Sequence, residues 1–232
     1  MLSRRKLLLA MLGSMCGIGL LPRSLFASNI ATATSWDSFV QGMQSLADNF
    51  DAEQLTQQQL IQQALGHMHA LDIKSASFAT AISEAYESGN EFWMWQRLLK
   101  KHNINGGILN IDRQRMVQLH DHPGATGVLR ILSGEAEVWQ YDRLTTVADS
   151  KISKLQLVSR RILRPGDTAV LTTQHGNIHA LRCISAECRM LDFFIPPFQL
   201  QQRNWFEPLA SNWQEQHQLM CRTISHHEYI HA

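Results

Sequence analysis

Two periodicities divide the chain. From Trp36 to Gly89 apolar residues recur at three- and four-residue spacing, with Ile61, Ala64, Leu65, Met68 and Leu71 on one stripe and Phe78, Ile82 and Ala85 on another. That spacing predicts helices with one buried face. Asp51 with Gln54 reads as a helix N-cap pair, Gly89 as a helix stop, and the Gln-rich run 57–63 as a solvated helix face. After Glu91 the period shortens to two. Strands are predicted at residues 92–99, 107–111, 116–120, 127–132, 136–141, 155–163, 168–172, 178–184 and 187–195. Turn residues separate them, among them Pro123-Gly124, Ser133-Gly134 and Pro165-Gly166-Asp167. Short strands without intervening helices predict a mainly β protein, closed or double-sheeted as in a jelly roll. The expected organisation is a helical segment at 28–90, a barrel at 91–198 and a polar extension at 199–232 packed over its outside.

Residues 1–27 fit neither period. Arg4, Arg5 and Lys6 precede an apolar run from Leu7 to Leu21 diluted by Gly13, Gly17 and Gly19, and the segment holds no acidic residue. The run is shorter than the ~20 residues of a comfortable membrane span. A basic start, an apolar stretch and small residues at Ala27, or at Ala31-Thr32-Ala33, read as a cleavable export signal, with an uncleaved anchor as the alternative. Ser3-Arg4-Arg5-Lys6-Leu7-Leu8 resembles the twin-arginine type, which implies export machinery as a partner, a periplasmic location and no stable membrane span after cleavage.

The leader changes how composition is read. The 232 residues carry 21 Lys+Arg and 20 Asp+Glu, a formal charge of +1; removing four leader cations leaves −3. Without a basic excess, nucleic-acid binding is excluded as an expectation. A chain 44% hydrophobic and 18% charged is globular, not disordered. Beyond the leader's Cys16 only Cys183, Cys188 and Cys221 remain, an odd number that cannot form a complete disulfide framework.

Candidate chemistry concentrates in His120-Asp121-His122, at the end of a predicted strand. Positions i and i+2 of a strand share a face, so both imidazoles can reach one ion. His67 and His69, two apart on a predicted helix, point apart and are poor partners. Downstream, Pro165-Gly166-Asp167 is followed by His179. Together these resemble the two signature motifs of the cupin superfamily, whose fold is a double-stranded β-helix barrel. The glutamate that many metal-binding cupins place just after His-x-His is missing from 123–127, which leaves His120, His122 and His179 as three neutral ligands. A divalent ion so held keeps its full charge for a thiolate.

Gln118 to Gly124, Gly127 to Leu132, Gly176 to Ala180 and Leu191-Asp192-Phe193-Phe194-Ile195-Pro196-Pro197-Phe198 resemble the thiol dioxygenases, the cysteamine dioxygenases and plant cysteine oxidases above all. The resemblance implies a mononuclear Fe(II), a small aminothiol or N-terminal-cysteine peptide and O2 as substrates, and a sulfinic acid as product. It carries the three histidines and Asp192 across by position; a hairpin register pairing Asp192 with His179 would set it beside the third ligand, where it could orient that ligand or receive the substrate's ammonium group. The family's Tyr after Pro-Pro is Phe198 here. A non-enzymatic metal- or small-ligand-binding cupin is the rival reading, and a cupin acting on carbon substrates a third.

If Ser185-Ala186 is a two-residue hairpin turn, His179 pairs with Asp192 and Cys183 with Cys188. The cysteines would then be close enough for a disulfide, against the plainer reading of two buried thiols. Of the remaining candidates, His175 competes as third ligand from a turn, Arg130 meets a substrate carboxylate or sits on the outer sheet surface, and His226, His227 and His231 belong to a solvated tail.

Overall fold

Each long helix begins at a hydroxyl. Ser35 Oγ accepts from Ser38 N (3.3 Å) to start α1 (Trp36–Asp51), and Ser75 Oγ accepts from Phe78 N (3.3 Å) to start α3 (Ala76–Glu87). Between them, α2 (Gln57–Ala70) opens on a capping box in which Thr56 and Gln59 satisfy each other's backbone N–H groups. The N-cap expected at Asp51 is therefore misplaced: Asp51 is the last residue of α1, and Glu53, in left-handed backbone (φ 56°), ends that helix. The computed structural model describes residues 33–88, 91–92, 94–113, 115–146 and 151–230; the leader read over 1–27 with its Cys16, and Gly89, lie outside them.

The strands that follow are β1 (Glu91–Phe92), β2 (Trp95–Lys100), β3 (Asn105–Asp112), β4 (Met116–His120), β5 (Thr126–Ser133), β6 (Ala136–Thr146), β7 (Ile152–Leu163), β8 (Thr168–Leu171), β9 (Ile178–Cys183), β10 (Glu187–Ile195), β11 (Asn204–Pro208) and β12 (Gln218–Ser225), with a last helix α4 (His226–Ile230). One sheet runs β1-β2-β3-β10-β5-β8. The other runs β11-β12-β7-β6-β9-β4 and closes where Trp205 pairs with His120. The architecture is the mainly β barrel with N-terminal helices that the periodicity predicts. The run 92–99 is two strands, and the tail is no outer layer, since β11 and β12 complete the second sheet.

Alternation along the strands separates two apolar layers. Leu109, Ile111, Leu129, Ile131 and Met190 face the second sheet, where they meet Val117, Val138, Leu163 and Leu181. Ile108, Val128, Leu191, Phe193 and Ile195 point the other way and bury Phe39, Met43, Leu60, Met68 and Phe78 of the helices. Arg130 belongs to this outer row. It donates to Met68 O and to Leu71 O (3.2 Å), so it satisfies the C-terminal carbonyls of α2 and meets no substrate. Gln57 also leaves the solvated face, donating to Thr126 Oγ1 (2.6 Å). The ring of His67 packs against Gly42.

The predicted hairpin between β9 and β10 does not form. β9 pairs with β4 and β6 in one sheet, and β10 pairs with β3 and β5 in the other. Residues 184–186 are a corner between sheets, held by Ile184 N to Glu135 O (3.0 Å) and Glu135 N to Ser185 Oγ (2.8 Å). Gly134 (φ 73°) makes the corner possible, because a Cβ there would lie 2.0 Å from Glu187 O. Cys183 and Cys188 are consequently not cross-strand partners. They are free thiols in the layer between the sheets, and burial pushes Cys188 up to about 12.

Candidate metal centre

The open end of the barrel gathers the starts and ends of several strands. His120 is the last residue of β4, His179 the second of β9, and the two are a direct antiparallel pair. His122 follows two positions beyond His120, where Asn177 grips its backbone: Oδ1 accepts from His122 N (2.7 Å) and Nδ2 donates to His122 O (3.3 Å). The three imidazoles are almost fully buried, with one ring nitrogen from each lying within 4.8 Å of the others. His120 Nε2 and His122 Nε2 are 3.0 Å apart. Of the predicted ligand candidates, His120, His122 and His179 come together, whereas His175 is exposed and bonds Asp142 Oδ2 (3.0 Å). His226 leaves the solvated tail to lie buried beside Trp205, whose Nε1 donates to it (3.3 Å).

Burial keeps these rings neutral. His179 is pulled down to about 4, mainly by desolvation, and His120 and His122 fall well below the usual imidazole value for the same reason, reinforced by Arg203 and by one another. Neutral imidazole is the form that binds metal. Backbone carbonyls settle two tautomers: His120 Nδ1 donates to Gln118 O (2.7 Å) and His179 Nδ1 to Asn177 O (3.0 Å), so both present an Nε2 lone pair. His122 differs. Arg203 Nη2 donates to its Nδ1 (3.0 Å), which leaves the proton on Nε2, shared toward His120. A cation held by all three Nε2 atoms needs the other tautomer of His122 and displaces that Arg203 donor. With this one adjustment the donor set fits a divalent transition metal.

Asp121, between the ligands, points away as strand alternation requires. It accepts from Asn204 N (2.7 Å), Asn204 Nδ2 (3.0 Å) and Arg143 Nη2 (3.3 Å), and so locks β11 to the end of β4.

A cavity of about 510 Å³ opens beside the triad. Asp192 lines it from the inner face of β10, paired with Gly107 and Leu129. It lines the same cavity as the histidines but from the other sheet, not through the strand pairing expected from the sequence. Desolvation raises its carboxyl to about 7, against an opposing pull from Arg203. Arg203 is the site residue that sequence reasoning missed. Its guanidinium is buried between Phe198 (4.6 Å to the ring centre) and Trp205 (5.7 Å), and desolvation lowers it to about 10 although Asp192 and Asp121 support its charge. Phe194 and Phe198 cover His122, each ring centre 4.3 Å from the imidazole.

A family model described as PCO_ADO matches residues 58–222, from α2 into β12. The chain belongs to the PCO_ADO family. Within that span fall the three histidines, Asn177, Asp192 and Arg203. Among curated proteins, 2-aminoethanethiol dioxygenase of Mus musculus is 27% identical over 112 residues, which is 40% of this chain and 44% of the relative. The match thus spans less than half of that relative's length. Solved structures with partial likeness include an uncharacterized conserved protein with a double-stranded beta-helix domain from Klebsiella pneumoniae (16% identity, TM-score 0.35, covering 44% of this chain and 76% of that one). Another is KdgF from Halomonas sp. (19% identity, TM-score 0.33, covering 44% of this chain and 81% of that one).

Proposed function

We propose that this PCO_ADO family member is an Fe(II)-dependent thiol dioxygenase that converts a small aminothiol, or the thiol of an N-terminal cysteine, to a sulfinic acid. One observation carries the reading: three buried histidines, kept neutral by desolvation, converge at a cavity whose single lining carboxylate among the described residues is Asp192. His120, His122 and His179 hold the metal. Iron, when bound, supplies a centre at which a thiolate and O2 can exchange electrons. In the overall reaction the S–H proton is retained by the product acid, the O–O bond breaks and two S–O bonds form. Sulfur furnishes all the electrons, so no second reductant is needed.

The protein's own part is placement. With no ligand carboxylate, the site favours an anionic sulfur donor. Asp192, as carboxylate, accepts the substrate's ammonium group and fixes the carbon chain relative to the histidines. An ammonium at that spot also favours the ionised acid, offsetting the burial that holds it near 7. Phe194 and Phe198 keep water from the face of His122. No phenol is available at 198, so no step relies on one.

Residues 1–27, read as a twin-arginine leader, would deliver the folded chain to the periplasm. Nitrogen ligands prefer Cu²⁺ and Zn²⁺ to Fe²⁺, so loading before export protects the identity of the metal. The test is an oxygen-electrode assay of the Fe(II)-loaded protein with cysteamine, cysteine and an N-terminal-cysteine peptide. The expected result is O2 uptake with at least one thiol and a product heavier by two oxygen atoms. Stoichiometric iron without O2 uptake on any of the thiols contradicts the proposal.

A further inference from the structure

Charge is unevenly distributed along the cavity. Besides the histidines, Asp192 and its electrostatic partner Arg203, the wall carries a group of cations from β2 and the turn that joins it to β3: Arg97 within the strand, and Lys100, Lys101 and His102 at its end. Among the described residues, no carboxylate lies within ion-pair distance of Arg97, Lys100 or Lys101. Asp48 feels Lys101 and His102, but its carboxylate is engaged by Asn103 (2.7 Å) and Gln44 (2.9 Å). Among the described residues, the buried N–H groups of Arg97 Nε and Trp95 Nε1 have no acceptor. Buried polar atoms are ordinarily satisfied, and Asn105 Oδ1 on the same wall is also unpaired, so this stretch offers a ligand both donors and an acceptor.

Strand register gives the spacing. Asp192 pairs with Gly107 on β3, and Gly107 pairs with Arg97 on β2, so Asp192 and Arg97 share one cross-strand row two strands apart. At the usual interstrand separation that is about 10 Å, and Lys100, which pairs with Asn105, lies in the row of Phe194, two residues along β10 from Asp192. An extended peptide advances about 3.3 Å per residue. A ligand with its amino group at Asp192 therefore brings its second and third residues under the basic rim.

Resting on the thiol-oxidation reading above, we infer that the cavity selects N-terminal-cysteine peptides carrying acidic side chains at the second and third positions. Asp192 takes the ammonium and Arg97, Lys100 and Lys101 take the carboxylates. The cavity volume of about 510 Å³ is in keeping with a ligand larger than a bare aminothiol.

The test compares amidated Cys-Glu-Glu, Cys-Gln-Gln and Cys-Lys-Lys with the full-length Fe(II) protein. KM is expected to rise in that order, by about tenfold or more from the acidic to the basic peptide at low salt, the span shrinking as salt is added. In K100E/K101E, where both side chains are exposed and substitution leaves the core intact, the order is expected to reverse. Equal KM values in the wild type, or an unchanged order in the variant, overturn the inference. If neither cysteamine nor any peptide is oxidised, the thiol-oxidation reading fails instead. Calorimetric titration with the Ser-headed peptides then tests the rim alone: tighter binding of Ser-Glu-Glu than Ser-Lys-Lys supports it, and equal binding overturns it.

Discussion

Replacing Asp192 with Asn separates what the fold wants from what the reaction needs. The carboxyl moves from 3.8 to about 7 on folding, chiefly by desolvation. A raised acid pKa means the unfolded chain ionises first, so the folded state loses stability as pH climbs from 3.8 to 7 and recovers none above it. At 1.36 kcal/mol per unit, the full shift corresponds to about 4 kcal/mol, an upper bound because the residue is only half-buried and meets water in the cavity. Asn is nearly isosteric and carries no charge. In urea unfolding of the metal-free protein, Asp192→Asn is expected to be more stable than wild type, with the advantage growing by as much as about 2 kcal/mol between about pH 5.5 and about pH 8.5. The same variant is expected to raise KM for an aminothiol, since its ammonium partner is gone. A stability difference that does not change with pH would refute the idea that Asp192 is held protonated by its surroundings.

Other perturbations probe neighbouring parts of the account. Arg130→Gln removes the charged donor to two carbonyls at the end of α2 and is expected to lower unfolding free energy by about 1.5–3 kcal/mol while the triad keeps its metal, measured by denaturation and metal content. Phe193→Ala empties the contact between β10 and Phe39 (ring centres 5.4 Å apart) and is expected to destabilise by about 3–5 kcal/mol in the same assay. Because His179 titrates near 4 and its two partners well below 6.5, Co²⁺ affinity is expected to stay nearly flat from about pH 7.5 to about pH 5.5. A steep fall beginning at about pH 6.5 would show ordinary, solvated histidines. Asn177→Ala frees the backbone of His122 and is expected to weaken metal binding about tenfold or more, read by competition with a chromogenic chelator.

The parts of the molecule governed by local periodicity were legible. Met116–His120 and Glu187–Ile195 are strands with the predicted limits, and the period of two puts Asp192 on the inward face with Met190, whereas His120 shares the inward face of Val117 only because the ladder shifts register between them. Reading a turn as a hairpin failed because Ser185-Ala186 is also a workable corner, held by Ile184 and Ser185 bonding to the backbone of Glu135 and needing the close approach of Gly134 to Glu187 O, none of which local periodicity shows. Arg203 stayed invisible for a related reason. The tail is polar and its strands are short, so nothing in its periodicity shows that β11 closes the barrel against His120 and carries a guanidinium into the site. Asn177 could have been found from its place in Gly176-Asn177-Ile178-His179, although only the structure gives its hold on His122. The Thr56–Gln59 box was in view as Thr-x-x-Gln and lost to the weaker Asp51 pattern.

The central claim is that a metal held by His120, His122 and His179 supports transfer of both atoms of O2 to a thiol sulfur. The most direct measurement uses isotopically labelled O2 with the Fe(II)-loaded protein and a cysteamine or N-terminal-cysteine substrate, followed by mass analysis of the sulfinate. The account predicts that both heavy oxygens appear in one product molecule and that His179→Ala abolishes product and iron binding together. Product carrying a single labelled oxygen, or unchanged thiol beside a fully iron-loaded triad, would contradict it.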